Sequence, residues 1–550
     1  MRNNILLILF FLSAPAADAQ KLKKEDKQVI ANLQKHVSIL ASDSLEGRRT
    51  GTAGEQKAMN YISAEFRAAG LQPRGSNEFY QPFEINEGKQ INAGTHLLVG
   101  GHALTLNKDF FPLPYSSNSS IEALPSMAIQ ELNMPWFFNL KELLEQHKQN
   151  PHFNLSESIR NIAKESAKKG ATALFIYNTS EIQDNLAFSG RDASEQVSIP
   201  VVYLTSEAVK KYFHDAEATL DLKLKTDIGA KKRTGTNVVG YIDNKAPHTV
   251  IVGAHFDHVG YGEDGNSLDK AKQVHNGADD NASGVAAVIE LAKMLKSGPR
   301  QNNYLFVAFS GEELGLYGSK HFVQHPTIDL RTVSYMINLD MIGRLNASDP
   351  VLTVGGFGTS PFWATAYQQT GKKALFNTSL KFRFDSSGVG PSDHSSFYFK
   401  DIPVLFYFTG LHGDYHRTSD DYDKINYTGH FYIVRHIYSL IDAQARTAAK
   451  LEFQKTRETQ MNTAATFSVT LGIMPDYTFS GTGVRIDGVV DSRPAEKAGM
   501  KSGDVIIRLG DFAVASMEDY MQALGKFKKG DKTTVHYNRG HQRLSSPVEF

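Results

Sequence analysis

The sequence predicts an α/β protein with a mostly parallel central sheet flanked by helices, interrupted by an inserted β-rich domain and followed by a smaller β-domain. Three observations lead to this. Between Thr236 and Asp442, continuous β-branched and apolar runs (TNVVGYI, TVIVGAH, NYLFVAFS, VSYMINLD, VLTVGG) alternate with helical patterns such as GVAAVIELAKML and LGLYGSKHFV. Such runs are expected of strands buried on both faces. Histidines and carboxylates follow several of these runs, at the edge where an open α/β sheet presents its ligands. Finally, 550 residues exceed what one hydrophobic core organises, so further domains are expected.

Residues 1–19 read as a secretory signal peptide. Met1-Arg2 give a positive start, Ile5 to Leu12 an apolar run, and Ala17-Asp18-Ala19 a small-x-small cleavage signal before Gln20. The apolar run is well short of the roughly 20 residues that a membrane span needs. Export to a bacterial periplasm or exterior is therefore expected, with no membrane span after cleavage. The absence of cysteine excludes disulfides, a thiol nucleophile and a lipoprotein cysteine, and it is compatible with that location. Lys+Arg and Asp+Glu balance at 59 each, which argues against nucleic acid or an anionic membrane as a partner.

Residues 20–92 form the first part of the main domain. KEDKQVIANLQKHVSIL and EQKAMNYISAEFRAAG carry apolar residues at helical spacing, with Gly70 as a stop. LASDSLEGRRTGTAG, between them, reads first as a helix–helix connection, although the charged Glu46, Arg48 and Arg49 leave open a place near an active cleft. Residues 93–234 read as a mostly β insert (THLLVGGHALTL, ATALFIYN, IPVVYLT, ATLDLKLK) with a scaffold or lid role. Residues 235–455 complete the main domain and end in the helix GHFYIVRHIYSLIDAQARTAAKLEF. Residues 466–550 form a separate β-rich unit that contributes no candidate ligand.

The chemistry concentrates at strand ends. His255 ends TVIVGAH, and Asp257 is placed to orient its imidazole from behind. The Asp279-Asp280-Asn281 turn has more polar groups than a helix N-cap needs, which leaves one acid for a metal. Glu312 and Glu313 follow NYLFVAFS; adjacent side chains point in different directions, so one can bind metal while the other reaches a water at the site. Asp340 ends YMINLD, and His416 lies in DYHRTSDD. Two histidines and three carboxylates suffice for two metals sharing one carboxylate. With no sulfur donor the set suits Zn²⁺, and accommodates Co²⁺ or Mn²⁺. A pair of ions about 3.5–4 Å apart activates water and polarises a carbonyl, which is the chemistry of amide hydrolysis.

In order, AHFDH, NGADDNASG, FSGEELGLYGS, NLDM and YHRTSDD resemble the zinc-dependent exopeptidase family of secreted bacterial dizinc aminopeptidases. That family also includes glutamate carboxypeptidases, glutaminyl cyclases and the transferrin receptor. LASDSLEGRRTGTAG resembles a segment common in its bacterial members, so the likeness covers residues 30–90 and 236–450. The resemblance implies two zinc ions, one on His255 and Asp340 and one on Glu313 and His416, with Asp279 bridging. It implies Glu312 as general base and then acid, and Tyr415 as a group that stabilises the oxyanion. It also implies a cis peptide between Asp279 and Asp280, and that bond is the reason for choosing Asp279. Ser392-Asp393-His394 resembles a family loop near the substrate pocket, and equally reads as a structural loop. KKGATALFIYN and SIPVVYLT resemble the core strands of a protease-associated domain, although Met134 to Pro151 departs from that pattern. The C-terminal unit resembles a PDZ domain of the bacterial protease type, with Leu471-Gly472-Ile473-Met474 as its carboxylate-binding loop.

The expected function is hydrolysis of N-terminal residues from peptides, with protein or peptide C-termini as further partners at the PDZ groove. A glutaminyl cyclase with one zinc and a carboxypeptidase are alternatives within the same fold. A receptor-like binder is the non-enzymatic alternative, and it would be expected to have lost ligands.

Overall fold

The computed structural model describes residues 22–150, 153–190, 192, 194–264, 266–269, 272–371, 380–447, 449–456, 469–475, 482–489, 493–515, 517–540 and 542–550. The expected signal segment 1–19 lies outside them. Among the described residues no helix is long and apolar enough to cross a membrane. The chain divides into two compact units, residues 1–83 with 234–550, and residues 84–233. The second unit begins before the expected residue 93, because the Tyr80–Ile91 strand runs on from the first.

The larger unit is built on a nine-stranded sheet. At its centre Asn303–Phe309, Thr249–His255, Val333–Leu339 and Val404–Phe408 lie side by side and parallel. Every residue of these four strands is buried, which is why their sequences show apolar runs instead of alternation. The sheet is mixed overall: Ile228–Ile242 runs antiparallel to Asn303–Phe309, and Val351–Gly355 antiparallel to Val404–Phe408.

Both faces are covered. Helices Lys24–Leu40, Ala53–Ala68, Gly284–Lys296 and Tyr427–Ala445 bury Val37, Phe66, Ile289 and Ile437 in one core. Phe322 and Phe397, from the helices Tyr317–Gln324 and His394–Tyr398, pack into the other. The Thr249–His255 strand has the next strand in sequence on one side and Val333–Leu339 on the other. The chain therefore turns opposite ways from its carboxyl end, and a crevice opens there.

Residues 469–550 carry an apolar core of their own, with Leu471, Ile486, Ile506 and Val535 at its centre. In the 84–233 unit, one four-stranded sheet runs Phe110–Pro112, Val201–Leu204, Ala173–Tyr177, Pro135–Asn139, and its helix Leu155–Lys168 buries Ile159 and Ala163. A second sheet contains His96–Val99, Leu222–Thr226 and Ser119–Ala123, all antiparallel.

The segment between the first two helices is more than a connection. Its Arg48 side chain is 1 % exposed. The guanidinium donates to the backbone carbonyls of Leu40 (2.5 Å), Phe256 (2.7 Å), Asn276 (2.6 Å) and Gly277 (3.1 Å). It thus ties the first helix to both ends of the segment that follows the Thr249–His255 strand. Close approach is possible because residue 47 is glycine: a Cβ there would lie 2.6 Å from the His275 carbonyl oxygen and 2.7 Å from that of Gly260. Burial lowers the pKa of Arg48 to about 10, against the pull of Asp280 and Asp257, so it remains a cation at neutral pH. Arg48→Met removes the donor from four buried carbonyls. An unfolding free energy lower by roughly 3–5 kcal/mol is expected in urea titration, since each buried group left unpaired costs about 1–3 kcal/mol. A loss below about 1 kcal/mol would show that water replaces the guanidinium at these oxygens.

Candidate metal centre

The crevice gathers donors from five separate segments. Among the described residues, two groups of side chains have ligand atoms close enough to share an ion: His255, Asp280 and Asp340, and His258, Asp280, Glu313 and His416. Asp280 belongs to both. Of the five residues expected as ligands, His255, Glu313, Asp340 and His416 are brought together here. Asp279 is in neither group, and its neighbour takes the place expected for it. The non-proline cis peptide also lies one residue later than expected, between Asp280 and Asn281.

The reason is visible in the turn. Asp279 points away from the cluster: its Oδ1 accepts from the Gly343 amide (2.6 Å) and the Ser283 hydroxyl (3.0 Å), and its Oδ2 lies 3.2 Å from His412 Nε2. It anchors the turn to the next loop. Asp280 points inward, with Oδ1 3.4 Å from His255 Nε2 and Oδ2 3.3 Å from His416 Nε2. Asp420 fixes the backbone between them, its Oδ2 accepting from the amides of Asp279 (2.9 Å) and Asp280 (3.1 Å). Asn281 completes the anchor, donating to the Leu339 carbonyl and accepting from the amides of Gly284 and Met341.

The histidine tautomers follow from their partners. Nδ1 of His416 is 2.8 Å from the Asn266 carbonyl, and Nδ1 of His255 is 3.1 Å from the Asp257 carbonyl. A carbonyl only accepts, so each Nδ1 carries a proton and each Nε2 faces the carboxylates, where it holds a second proton or, with a cation bound there, offers a lone pair. The Asp257 backbone therefore orients His255, not the side chain expected for that role. The Asp257 carboxylate accepts instead from the Glu312 amide (3.1 Å) and the Thr50 hydroxyl (3.0 Å). His258, which sequence reasoning passed over, lies 2.8 Å through Nδ1 from Glu313 Oε1. Its place in AHFDH, three residues beyond His255, was the available signal.

Electrostatics describe a site short of positive charge. Burial raises the carboxyl pKa of Glu312 well above its ordinary range, and the charges of Glu313 and Asp340 add to this against the pull of His255. Burial likewise lifts Asp393 to about 7 and Asp257 to about 6. Burial also opposes ionisation of Glu313, but His416 and His258 overcome it and hold the group well below the usual range. His255 and His416 are disfavoured as cations by burial, yet Asp340 and Glu313 respectively raise both well above the ordinary imidazole value. Buried atoms without a hydrogen-bond partner include His258 Nε2, His416 Nε2 and both carboxylate oxygens of Asp393. Buried carboxylates with imidazole lone pairs directed among them fit divalent cations, and the all-N/O donor set fits zinc.

The cluster forms part of the lining of a cavity of about 440 Å³. Glu312 and Tyr415 line it as well, and the Tyr415 ring stacks on His416 with centroids 4.0 Å apart. Of the Ser392-Asp393-His394 loop, Ser392 donates to Asp340 Oδ2 (2.8 Å), and His394 lines the cavity, stacked on Phe406.

Residues 237–440 match the family described as Peptidase family M28, and residues 452–549 match the PDZ domain. Aminopeptidase YwaD of Bacillus subtilis is 28 % identical over 344 residues, covering 60 % of this chain and 66 % of YwaD. An aminopeptidase of Pseudomonas aeruginosa is 28 % identical over 262 residues, covering 46 % of this chain and 45 % of its own length. The chain thus spans from under half to just under two thirds of these relatives. Among solved structures, BSAP, a zinc aminopeptidase from Bacillus subtilis, aligns over 80 % of this chain and 98 % of its own, with 22 % identity and a TM-score of 0.41.

The two aspartates are separable by zinc titration of the metal-stripped protein. Asp280→Ala removes the shared carboxylate, and zinc affinity is expected to fall by more than about 100-fold. Asp279→Ala removes only an anchor, for which a loss of about 10–100-fold or less is expected. Equal losses would return the shared role to Asp279.

Proposed function

The chain carries a peptidase family M28 domain over residues 237–440 and a PDZ domain over residues 452–549, and on that premise we propose that it is a zinc aminopeptidase removing N-terminal residues from peptides. The observation that carries the reading is the position of Asp280, common to two ligand groups in the wall of a cavity that Glu312 also lines. In this reading two zinc ions are held, one by His255, Asp280 and Asp340, the other by Asp280, Glu313 and His416. Held there, the ions would supply Lewis acidity toward a scissile carbonyl and a water molecule. Glu312 belongs to neither ligand group; it takes the proton from the attacking water and delivers it to the leaving amine. The Glu312 main chain is held by Asp257, so its carboxylate is aimed from a fixed base. Tyr415 supplies a hydroxyl to the developing oxyanion. His258 holds Glu313 in orientation through Nδ1.

The reading includes export through residues 1–19, a protease-associated role for the 84–233 unit, and peptide recognition by the PDZ domain. Purified protein with about two zinc ions, releasing amine from aminoacyl-p-nitroanilides in a chelator-sensitive and zinc-restored manner, is the expected result. About one zinc and no amine release would move the reading to cyclisation of N-terminal glutamine.

Glu312→Gln preserves size and hydrogen-bonding reach but cannot carry a proton. It is expected to keep the wild-type zinc content and lose about 10²–10⁴-fold in kcat, the usual scale for a lost general base. Loss of zinc in this variant would make Glu312 a ligand instead.

A further inference from the structure

The cavity is not walled by the peptidase domain alone. Its lining includes Ile473 and Pro475, from the Ile473–Pro475 strand of the C-terminal domain. We propose that this strand forms a wall of the substrate pocket, and that Ile473 and Pro475 select the side chain of the peptide's N-terminal residue. The proposal rests on the aminopeptidase reading and adds to it the residues that set its preference.

Three features lead there. Ile473, which also packs on the core of its own domain, and Pro475 both line the cavity from this one strand, whose pairing shifts register between Met474 and Pro475. That strand lies at the edge of its sheet, paired with Val484–Val489. Second, the cavity has an apolar part that belongs to neither large core. Met341, Phe406 and Phe408 form a separate small cluster with Leu411 and Tyr415, and all five line the cavity. Together with Ile473 and Pro475 they offer an apolar side-chain site beside the metal ligands. Its chemistry fits an apolar N-terminal residue.

Third, the turn before the strand is fixed by its own chain. Gly472 has φ +72°, and a Cβ there would come within 2.1 Å of Arg493 Cβ. The Leu471 carbonyl accepts from the Ala495 amide at 2.8 Å. The Gly472 amide donates to Thr470 Oγ1 at 3.0 Å. That amide is one of the donors that capture of a peptide carboxylate would require. The loop is thus engaged internally, and the strand meets the cavity through its side chains.

The test uses the full-length, zinc-loaded protein with Ile473→Ala and Ile473→Trp, and Phe512→Ser in the same domain as a control outside the cavity lining. Two readouts are taken: kcat/KM for alanyl-, leucyl- and phenylalanyl-p-nitroanilide, and calorimetric affinity for alanine and phenylalanine hydroxamates. Ile473→Trp is expected to lower the phenylalanyl-to-alanyl preference by about tenfold or more, and Ile473→Ala to raise it, in line with the discrimination that small volume changes give in apolar pockets. Phe512→Ser keeps the wild-type ranking. Wild-type rankings in both Ile473 variants, with zinc content intact, would overturn the proposal. If the wild-type protein hydrolyses nothing, the aminopeptidase reading falls, and a shifted hydroxamate ranking would still uphold the wall.

Discussion

The structure depends on holding several carboxylates together out of water. Asp280 and Asp393 are buried and Glu312, Glu313 and Asp340 half-buried near one another beyond the central strands, with the buried Asp257 beside them. Bringing one carboxylate into such a place is costly, and bringing several is more so unless a cation offsets them. The protein's own cations nearby are few. Arg48 contributes from below, and the histidines contribute only when protonated. The opposed shifts, Glu313 held down while Glu312 and Asp393 are pushed up, express this shortage. A divalent cation held here would offset it, and would leave the imidazoles neutral with Nε2 free to ligate.

Much of the surrounding structure follows as support for that cluster. Nδ1 of His255 and of His416 is committed to a backbone carbonyl, so these rings cannot turn. Asp420 grips the two amides of the aspartate turn, and Asp279 fastens the same turn to Gly343. Thr50 and Asp257 connect the segment after the first helix to the Glu312 amide. All of these partners but the Asp257 carbonyl on His255 are distant in sequence, so the site is rigid only in the folded chain. The arrangement agrees with the general need to orient metal ligands through a surrounding layer of hydrogen bonds.

That same distance explains what could be read from sequence and what could not. Strand ends were legible, because buried parallel strands leave apolar runs and the candidate donors follow at once: His255, the Glu312-Glu313 pair and Asp340 were read in this way. His416 was read in a loop, and the choice of Glu313 over Glu312 as ligand came from the family resemblance. Choosing between Asp279 and Asp280 was not possible on the same ground. Neighbouring carboxylates in a turn differ only in direction, and direction is decided by Gly343 and Asp420, 64 and 141 residues from Asp279, together with Ser283 one helical turn on. Arg48 was read as belonging to a connection because its acceptors are backbone carbonyls, which leave no trace in side-chain patterns. The sheet's antiparallel edges escaped for a related reason: an apolar run looks the same in either direction. Ile228–Ile242 pairs antiparallel with Asn303–Phe309 although its apolar run reads like those of the parallel strands.

The proposed wall at Ile473 and Pro475 places a different demand on the molecule from the one met by the carboxylate cluster. The residues proposed as metal ligands would tolerate little displacement, and hydrogen bonds hold them or the turns that carry them. A side-chain pocket needs only volume and apolar surface, and these vary at lower cost. Building part of the pocket from a separate domain, with its own core around Leu471 and Ile506, separates the two demands. Substitutions at Ile473 alter which residue fits without touching Asp280 or its anchors. Preference can then change while the reaction chemistry stays intact, because discrimination in such a pocket comes from small differences in contact and not from the catalytic groups.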